Sequence, residues 1–229
     1  MNKTIIIPCF NEKKTIIEIL NKVKKNLDEG DEIIVVDDFS SDGTREILKN
    51  LQDKNIKVLY HEKNYGKGKA LSTAFKEKLN EIIIIQDADL EYDPNDYDQL
   101  LQPFLKTNAE VVYGSRFLGT NKYVRLHFFW HSIANKILTL FCNLITNLNM
   151  TDMETGYKVF KRDVIKSIDI EETSFGVEPE ITIKLAKKGY IFYEVPISYA
   201  GRSYSEGKKI GIKDAFRAIY CILLYGLKR

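Results

Sequence analysis

Four consecutive isoleucines, Ile82–Ile85, run straight into Gln-Asp-Ala-Asp-Leu-Glu, and this stretch constrains the chain more than any other. The run is too short for a helix, and β-branched side chains favour strands. Without polar alternation, such a strand is covered on both faces, as in the middle of a sheet sandwiched by helices. Asp87, Asp89 and Glu91 then follow at alternate positions, so an extended backbone carries all three on one side. Ligands of open α/β sheets bind at the carboxyl ends of the strands. Clustered carboxylates repel one another and call for a cation, and an oxygen-only donor set suits Mg²⁺ or Mn²⁺. The plainer alternative is an acidic turn leading to a helix opened by Pro94.

The other segments fit the same architecture. Strands are predicted over Thr4–Ile7 (stopped by Pro8), Glu32–Val36, Ile56–Tyr60 and Glu110–Tyr113. Helices are predicted from Asn11 or Glu12 to about Leu27, after a Ser40-Ser41-Asp42 cap, from the Gly66-Lys67-Gly68-Lys69 segment through Leu79, and over Asp96–Leu105. Regular alternation of β and α means a doubly wound, mostly parallel sheet. Beyond about residue 117 the chain becomes more helical. Tyr123–Leu148 places Ile133, Ile137, Phe141, Leu144 and Leu148 on one stripe, and Phe175–Lys187 and Ile212–Leu227 are further helices. Strands return at Tyr157–Phe160 and Tyr190–Val195. With no repeat, linker or low-complexity tract, residues 1–229 read as one domain: a nucleotide-binding half over about 1–117 and an acceptor half over about 118–229.

Thirty-four basic residues nearly cancel 32 acidic ones, so charge gives no reason to expect nucleic acid as a partner. Cys9, Cys142 and Cys221 are scattered and odd in number, which suggests a reducing compartment and no structural zinc. MNKTIIIPCF is too short a hydrophobic opening for a signal peptide, and no run of about 18 apolar residues exists to span a bilayer. A cytoplasmic location is expected, either free or peripheral at the inner face of the cell membrane.

Polar residues recur where strands one, two, four and five end: Asn11 and Glu12, Asp37 and Asp38, Asp87, Asp89 and Glu91, and Arg116. Four such clusters along one sheet edge describe a pocket. Carboxylates there suit a metal and ribose hydroxyls, and a guanidinium suits phosphate. The Gly66–Lys69 segment has the composition to approach phosphate but matches neither a P-loop nor GxGxxG. A solvated helix start is its competing reading.

Taken in order, Pro8-Cys9-Phe10-Asn11-Glu12, Val35-Val36-Asp37-Asp38 with Ser41-Asp42-Gly43-Thr44, Asn64-Tyr65-Gly66-Lys67-Gly68, Asp87-Ala88-Asp89 and Gly114-Ser115-Arg116 resemble family 2 glycosyltransferases of the GT-A fold. The likeness is to the dolichyl-phosphate mannose/glucose synthase branch. Asp152, Thr155-Gly156-Tyr157-Lys158 and Gly176-Val177-Glu178-Pro179-Glu180 carry it through the second half. The resemblance implies donor-nucleotide contacts from Pro8, Phe10, Asn11, Glu12, Asp38 and Ala88, with Lys67 near the nucleotide. It implies a divalent metal on Asp87 and Asp89, with Glu91, where several relatives carry Gln, as a third ligand. It places Arg116 on a phosphate of donor or acceptor, Asp152 and Glu178 on the acceptor side, and inversion at the anomeric carbon. Arg202 and Lys208 fall where relatives carry a mobile basic loop over the site.

The acceptor decides the chemistry. A polyprenyl phosphate is already an anionic nucleophile and needs no base, whereas a glycan hydroxyl must lose a proton, to Asp152 or Glu178. Each of these two also has a structural reading, as a helix cap or helix N-terminal carboxylate. The stretches Phe128–Leu148 and Ile212–Leu227 fit a bilayer surface, with aromatic and basic flanks, or else a packed core or the interface of a homo-oligomer. A sugar nucleotidyltransferase would share the sheet and metal but open with a glycine-rich loop that Pro8–Glu12 lacks. A non-catalytic nucleotide-sugar-binding module has less need of the Asp87 and Asp89 pair.

Overall fold

A computed structural model describes residues 1–119, 125, 129–202 and 212–228. Seven strands form one sheet: β1 Lys3–Cys9, β2 Glu32–Asp37, β3 Ile56–Tyr60, β4 Ile82–Ile85, β5 Val111–Ser115, β6 Lys158–Lys161 and β7 Phe192–Pro196. Their order across the sheet is β3-β2-β1-β4-β6-β5-β7. All pairings are parallel except those of β6, which runs antiparallel between β4 and β5. β5 therefore points the same way as β4, and the ends of β1, β2, β4 and β5 share one edge.

Pro8 lies inside β1 rather than ending it, opposite Val36 of β2. The Ile6 carbonyl faces β4, accepting from Gln86 N. By the two-residue period Pro8 N faces that side too, where the β1–β4 ladder has already finished at Ile6 and Ile85. The missing N–H removes no sheet bond.

Alternation within the strands sorts the core into two layers. Ile5, Ile7, Ile33, Val35, Ile82, Ile84, Val112 and Val159 face helices α1 (Ile16–Lys24), α2 (Thr44–Lys49) and α4 (Tyr97–Lys106). Ile6, Ile34, Val36, Ile83, Ile85, Val111 and Phe160 face α3 (Lys67–Phe75), α5 (Phe129–Thr146), α7 (Val177–Lys187) and α8 (Ile212–Leu227), with a short α6 (Arg162–Ile165) after β6. The isoleucines of β4 thus divide between both layers, the double coverage that four apolar residues in a row demand.

Several helices are shorter than predicted. α1 starts at Ile16 after a turn, α3 ends at Phe75, and Pro94–Asp96 forms a 3-10 turn before α4. Of the settings open to the stripe on the long helix, core or outer surface, most of it takes the outer one. Asn135, Leu138, Thr139 and Cys142 are buried, while Ile137, Phe141 and Leu144 are exposed, Leu144 by 71%. α5 packs on α7 and α8 through its less apolar stripe.

The glycines before and within α3 have a packing role. A Cβ at Gly66, whose φ is +96°, or at Gly68 would collide with the backbone carbonyls of Thr173 and Glu172. These glycines let the 172–174 segment approach the start of α3 backbone to backbone.

Candidate active site

The carboxyl edge is stitched together before any ligand is considered. Asn11 sits at φ 54° in the left-handed region, which Asn tolerates better than most residues. Its N–H donates to Ser40 Oγ at 2.9 Å, and its Oδ1 accepts from Ser41 N at 2.8 Å. Glu12 N donates to Thr44 Oγ1 at 3.0 Å. Pro8 and Phe10 are half-buried beside this turn, and Ala88 is buried after β4. Asp38, expected to face the donor, accepts from Tyr65 N at 2.9 Å and Gly66 N at 2.6 Å and pairs with His61 Nδ1 at 2.7 Å. His61 in turn bonds Thr73 at 2.9 Å. Asp38 therefore fixes the loop that opens α3.

Beyond β4, Arg202 reaches back into the acidic cluster. Its guanidinium lies 3.2 Å from Glu12, 3.0 Å from Asp89 and 3.4 Å from Glu91. Burial, with Asp87 and Glu91 nearby, still pushes the Asp89 carboxyl up to about 7, against the pull of Arg202. The cluster carries more negative charge than one guanidinium neutralises. Glu91, predicted as a third metal ligand, is occupied elsewhere: it accepts from Tyr199 Oη and, at 2.8 Å, from Arg202 N. Among the described residues no three His, Cys, Asp or Glu side chains converge on a point suited to a metal ion. Asp87 and Asp89 fit a divalent ion of the kind that binds one or two carboxylates and completes its shell with substrate phosphates and water.

Residues after β5 complete two buried ion-pair groups. Lys67 bridges Asp87 at 2.8 Å and Glu178 at 3.0 Å. Desolvation works against its charge, but the two carboxylates outweigh it and keep Lys67 protonated. Glu178 also accepts from Lys158. Burial opposes its ionisation, yet Lys158 and Lys67 together hold its carboxyl below the usual range. In the second group Arg116 grips Asp152 through Nε and Nη2, both at 2.7 Å, and through its backbone N at 3.0 Å. Asn135 of α5 donates to Asp152 at 2.8 Å. The fully buried Asp152 is driven up by desolvation and down, further, by Arg116. The Tyr199 ring covers the Arg116 guanidinium at 5.1 Å. Gly156 seats this segment against Asp87, since a Cβ there would collide with the Asp87 carboxylate.

Of the residues singled out in the sequence, Arg202 gathers Glu12, Asp89 and Glu91, with Arg116 and Asp152 joined to this group through Tyr199, and Lys67 gathers Asp87 and Glu178 in a second group. Lys208 lies outside the described residues. Sequence reading gave no role to Lys158, Tyr199, Asn135 or Glu154. A lysine and a tyrosine at strand ends look like surface residues, and only the fold shows Lys158 fully buried.

The family model for glycosyl transferase family 2 matches residues 4–169. The undecaprenyl-phosphate mannosyltransferase of Micrococcus luteus is 29% identical over 92% of this chain and 88% of its own. The UDP-N-acetylglucosamine–dolichyl-phosphate N-acetylglucosaminyltransferase of Methanococcus voltae is 27% identical over 96% and 94%. In fold, glucosyl-3-phosphoglycerate synthase of Mycobacterium tuberculosis, solved with Mn²⁺, UDP and phosphoglyceric acid, superimposes with a TM-score of 0.75 at 18% identity, covering 98% of this chain and 78% of that one.

Proposed function

Because the chain belongs to glycosyl transferase family 2, in the branch of the dolichyl-phosphate sugar synthases, we propose that it is a metal-dependent, inverting transferase moving one hexose from a nucleotide sugar of the GDP-mannose or UDP-glucose type to a polyprenyl phosphate. The observation that carries this acceptor is the state of Asp152 and Glu178. Both are ionised and tied to cations, Asp152 to Arg116 and Glu178 to Lys158 and Lys67. A general base works best with a pKa near the operating pH, and these two are held well below it. Such a site suits a nucleophile that arrives already ionised.

In this reading Asp87 and Asp89 would hold the divalent ion, which when bound would supply charge neutralisation for the departing nucleotide. Lys67 stays protonated beside Asp87 and adds a fixed positive charge at the same edge. Arg202, which bridges Glu12, Asp89 and Glu91, is the guanidinium placed at this edge to pair with a donor phosphate. Arg116, locked by Asp152, faces the acceptor phosphate and holds it in line with the anomeric carbon.

The outward faces of α5 and α8 support a lipid acceptor. Trp130, Leu140, Leu144, Phe216, Leu223 and Leu227 are each at least half exposed on two helices that pack together. An apolar surface of this kind, with aromatics and a terminal Lys228, fits the interfacial region of a bilayer. Among the described residues no helix is long and apolar enough to cross a membrane.

A thermal-shift screen of nucleoside diphosphates and nucleotide sugars tests the donor half of the proposal. A matching ligand at about a hundred times its Kd adds about 2.7 kcal/mol, which raises the melting temperature of a domain this size by roughly 5–10 °C. The shift should need Mn²⁺ or Mg²⁺ and vanish with a chelator. A folded sample that responds to none of these ligands, with or without metal, contradicts the proposal.

A further inference from the structure

Lys158 opens β6 and is completely buried. Its ammonium has three donors and uses all three, on the Met153 carbonyl at 3.0 Å, the Thr155 carbonyl and Glu178 Oε2. The Tyr113 ring lies against it at 4.8 Å. Glu178 is fixed from its own side as well: Thr182 Oγ1 donates to the Glu178 carbonyl at 2.8 Å and lies 2.8 Å from Tyr113 Oη. The two carbonyls need only a neutral donor, and a buried ion pair is often replaced by apolar groups with no loss of stability. The charge on Lys158 therefore calls for a reason besides the fold.

The reason lies in how the Glu178 carboxylate is divided. Oε2 takes Lys158, and Oε1 takes Lys67 at 3.0 Å, whose ammonium also reaches Asp87 Oδ1 at 2.8 Å. Cation and anion alternate along the row from Lys158 to Asp87. Side-chain exposure rises in the same order, 0%, 6%, 14% and 21%, so the row starts in the core and opens at Asp87. With Lys67 as its single cation, Glu178 would draw that ammonium toward the core and away from Asp87. A second cation on Oε2 shares the carboxylate and leaves Lys67 at the edge.

We infer that Lys158 is a positioning residue for Lys67: by neutralising Glu178 from the core side, it keeps the Lys67 ammonium beside Asp87, where the proposed donor diphosphate binds. Lys158 itself touches no ligand. The inference rests on the glycosyltransferase reading above and adds to it a residue that acts on the donor only through two others.

The test titrates GDP and UDP by calorimetry, with Mn²⁺, into the full chain and its variants. Lys158→Met should weaken whichever diphosphate the wild type binds by about tenfold to a hundredfold, as for loss of one hydrogen bond to a charged group. Lys67→Met should weaken it by a similar factor. Adding Lys158→Met to Lys67→Met should weaken it no further, because both act through one ammonium. Lys158→Met/Glu178→Gln removes the buried pair together, which destabilises less than stranding one partner, and should regain most of the affinity. This pair variant decides the matter even where Lys158→Met alone fails to fold. Undiminished affinity in Lys158→Met would overturn the inference. So would a pair variant that binds as weakly as Lys67→Met, or a further loss in the Lys67→Met background, since either marks Lys158 as a structural staple of the 153–155 carbonyls. A wild type that binds neither diphosphate would bring down the glycosyltransferase reading, and the inference with it.

Discussion

Asp89→Asn is expected to fold as the parent does and to lose sugar transfer by about a thousandfold. The loss follows from the metal's share of catalysis, several kcal/mol of charge stabilisation at the leaving diphosphate, with about 1.4 kcal/mol per factor of ten. The intact fold follows from electrostatics. In the absence of metal the Asp89 carboxylate is held above its ordinary value by burial and by Asp87 and Glu91, so its negative charge works against folding. An amide of the same shape removes that repulsion, and the melting temperature should stay level or rise slightly. Nucleoside diphosphate binding in the variant should also lose its response to Mn²⁺. Wild-type turnover in Asp89→Asn would remove Asp89 from the mechanism; a variant that melts well below the parent would mean that the Arg202 contact outweighs the repulsion.

Asp152→Asn is expected to have the opposite profile, a large cost to the fold. Arg116 is 13% exposed and Asp152 not at all, so neutralising the carboxylate strands a desolvated guanidinium. Breaking a buried pair from one side costs about 3–5 kcal/mol, which for a chain of this length lowers the melting temperature by roughly 10 °C. Asn135→Ala, which removes only a neutral donor to the same carboxylate, should cost about 1 kcal/mol. The pH dependence has a definite sign. The Asp152 carboxyl is depressed in the fold below the ordinary aspartate value of about 3.9, so its contribution is fully present above that value and lost as pH falls through the lower folded value. The gap between wild type and Asp152→Asn should therefore be constant from neutral pH down to about pH 5 and close only in stronger acid. A gap that disappears near neutrality would contradict the ion-pair account.

The donor side of this architecture was legible in the sequence because local signals and global placement agree there. Ile82–Ile85 can only be a doubly covered strand, and alternation of β and α places the ends of β1, β2 and β4 together. Two features were hidden for physical reasons. The direction of β6 leaves no mark on its side-chain period, since parallel and antiparallel strands share a repeat of two. The setting of the α5 stripe stayed open because either a core or an outer surface fits it; in the fold Asn135, Leu138, Thr139 and Cys142 are buried and Ile137, Phe141 and Leu144 are left outside. Periodicity reports where apolar residues cluster, and a surface that meets lipid needs the same clustering as one that meets a core.

The site divides the same way. Glu12, Asp87, Asp89 and Arg116 stand at strand ends and could be picked out one at a time. Their partners could not, because the contacts that give them their states join distant parts of the chain. Arg202 meets Glu12 across 190 positions, and Lys158 reaches Glu178 from a neighbouring element. In the sequence Asp152 and Glu178 stood open between a base for a hydroxyl acceptor and a helix cap. The fold pairs Asp152 with Arg116 and Glu178 with Lys158 and Lys67, contacts that no local pattern announces.

The central claim is the acceptor, and product analysis tests it most directly. The protein would be incubated with Mn²⁺, the nucleotide sugar selected by thermal shift, and vesicles carrying polyprenyl phosphate, and the lipids examined by mass spectrometry. The account predicts a lipid heavier by one hexosyl unit and linked through its phosphate, with one nucleoside diphosphate released per sugar transferred. A product in which the sugar sits on a hydroxyl group, with the polyprenyl phosphate untouched, would contradict it.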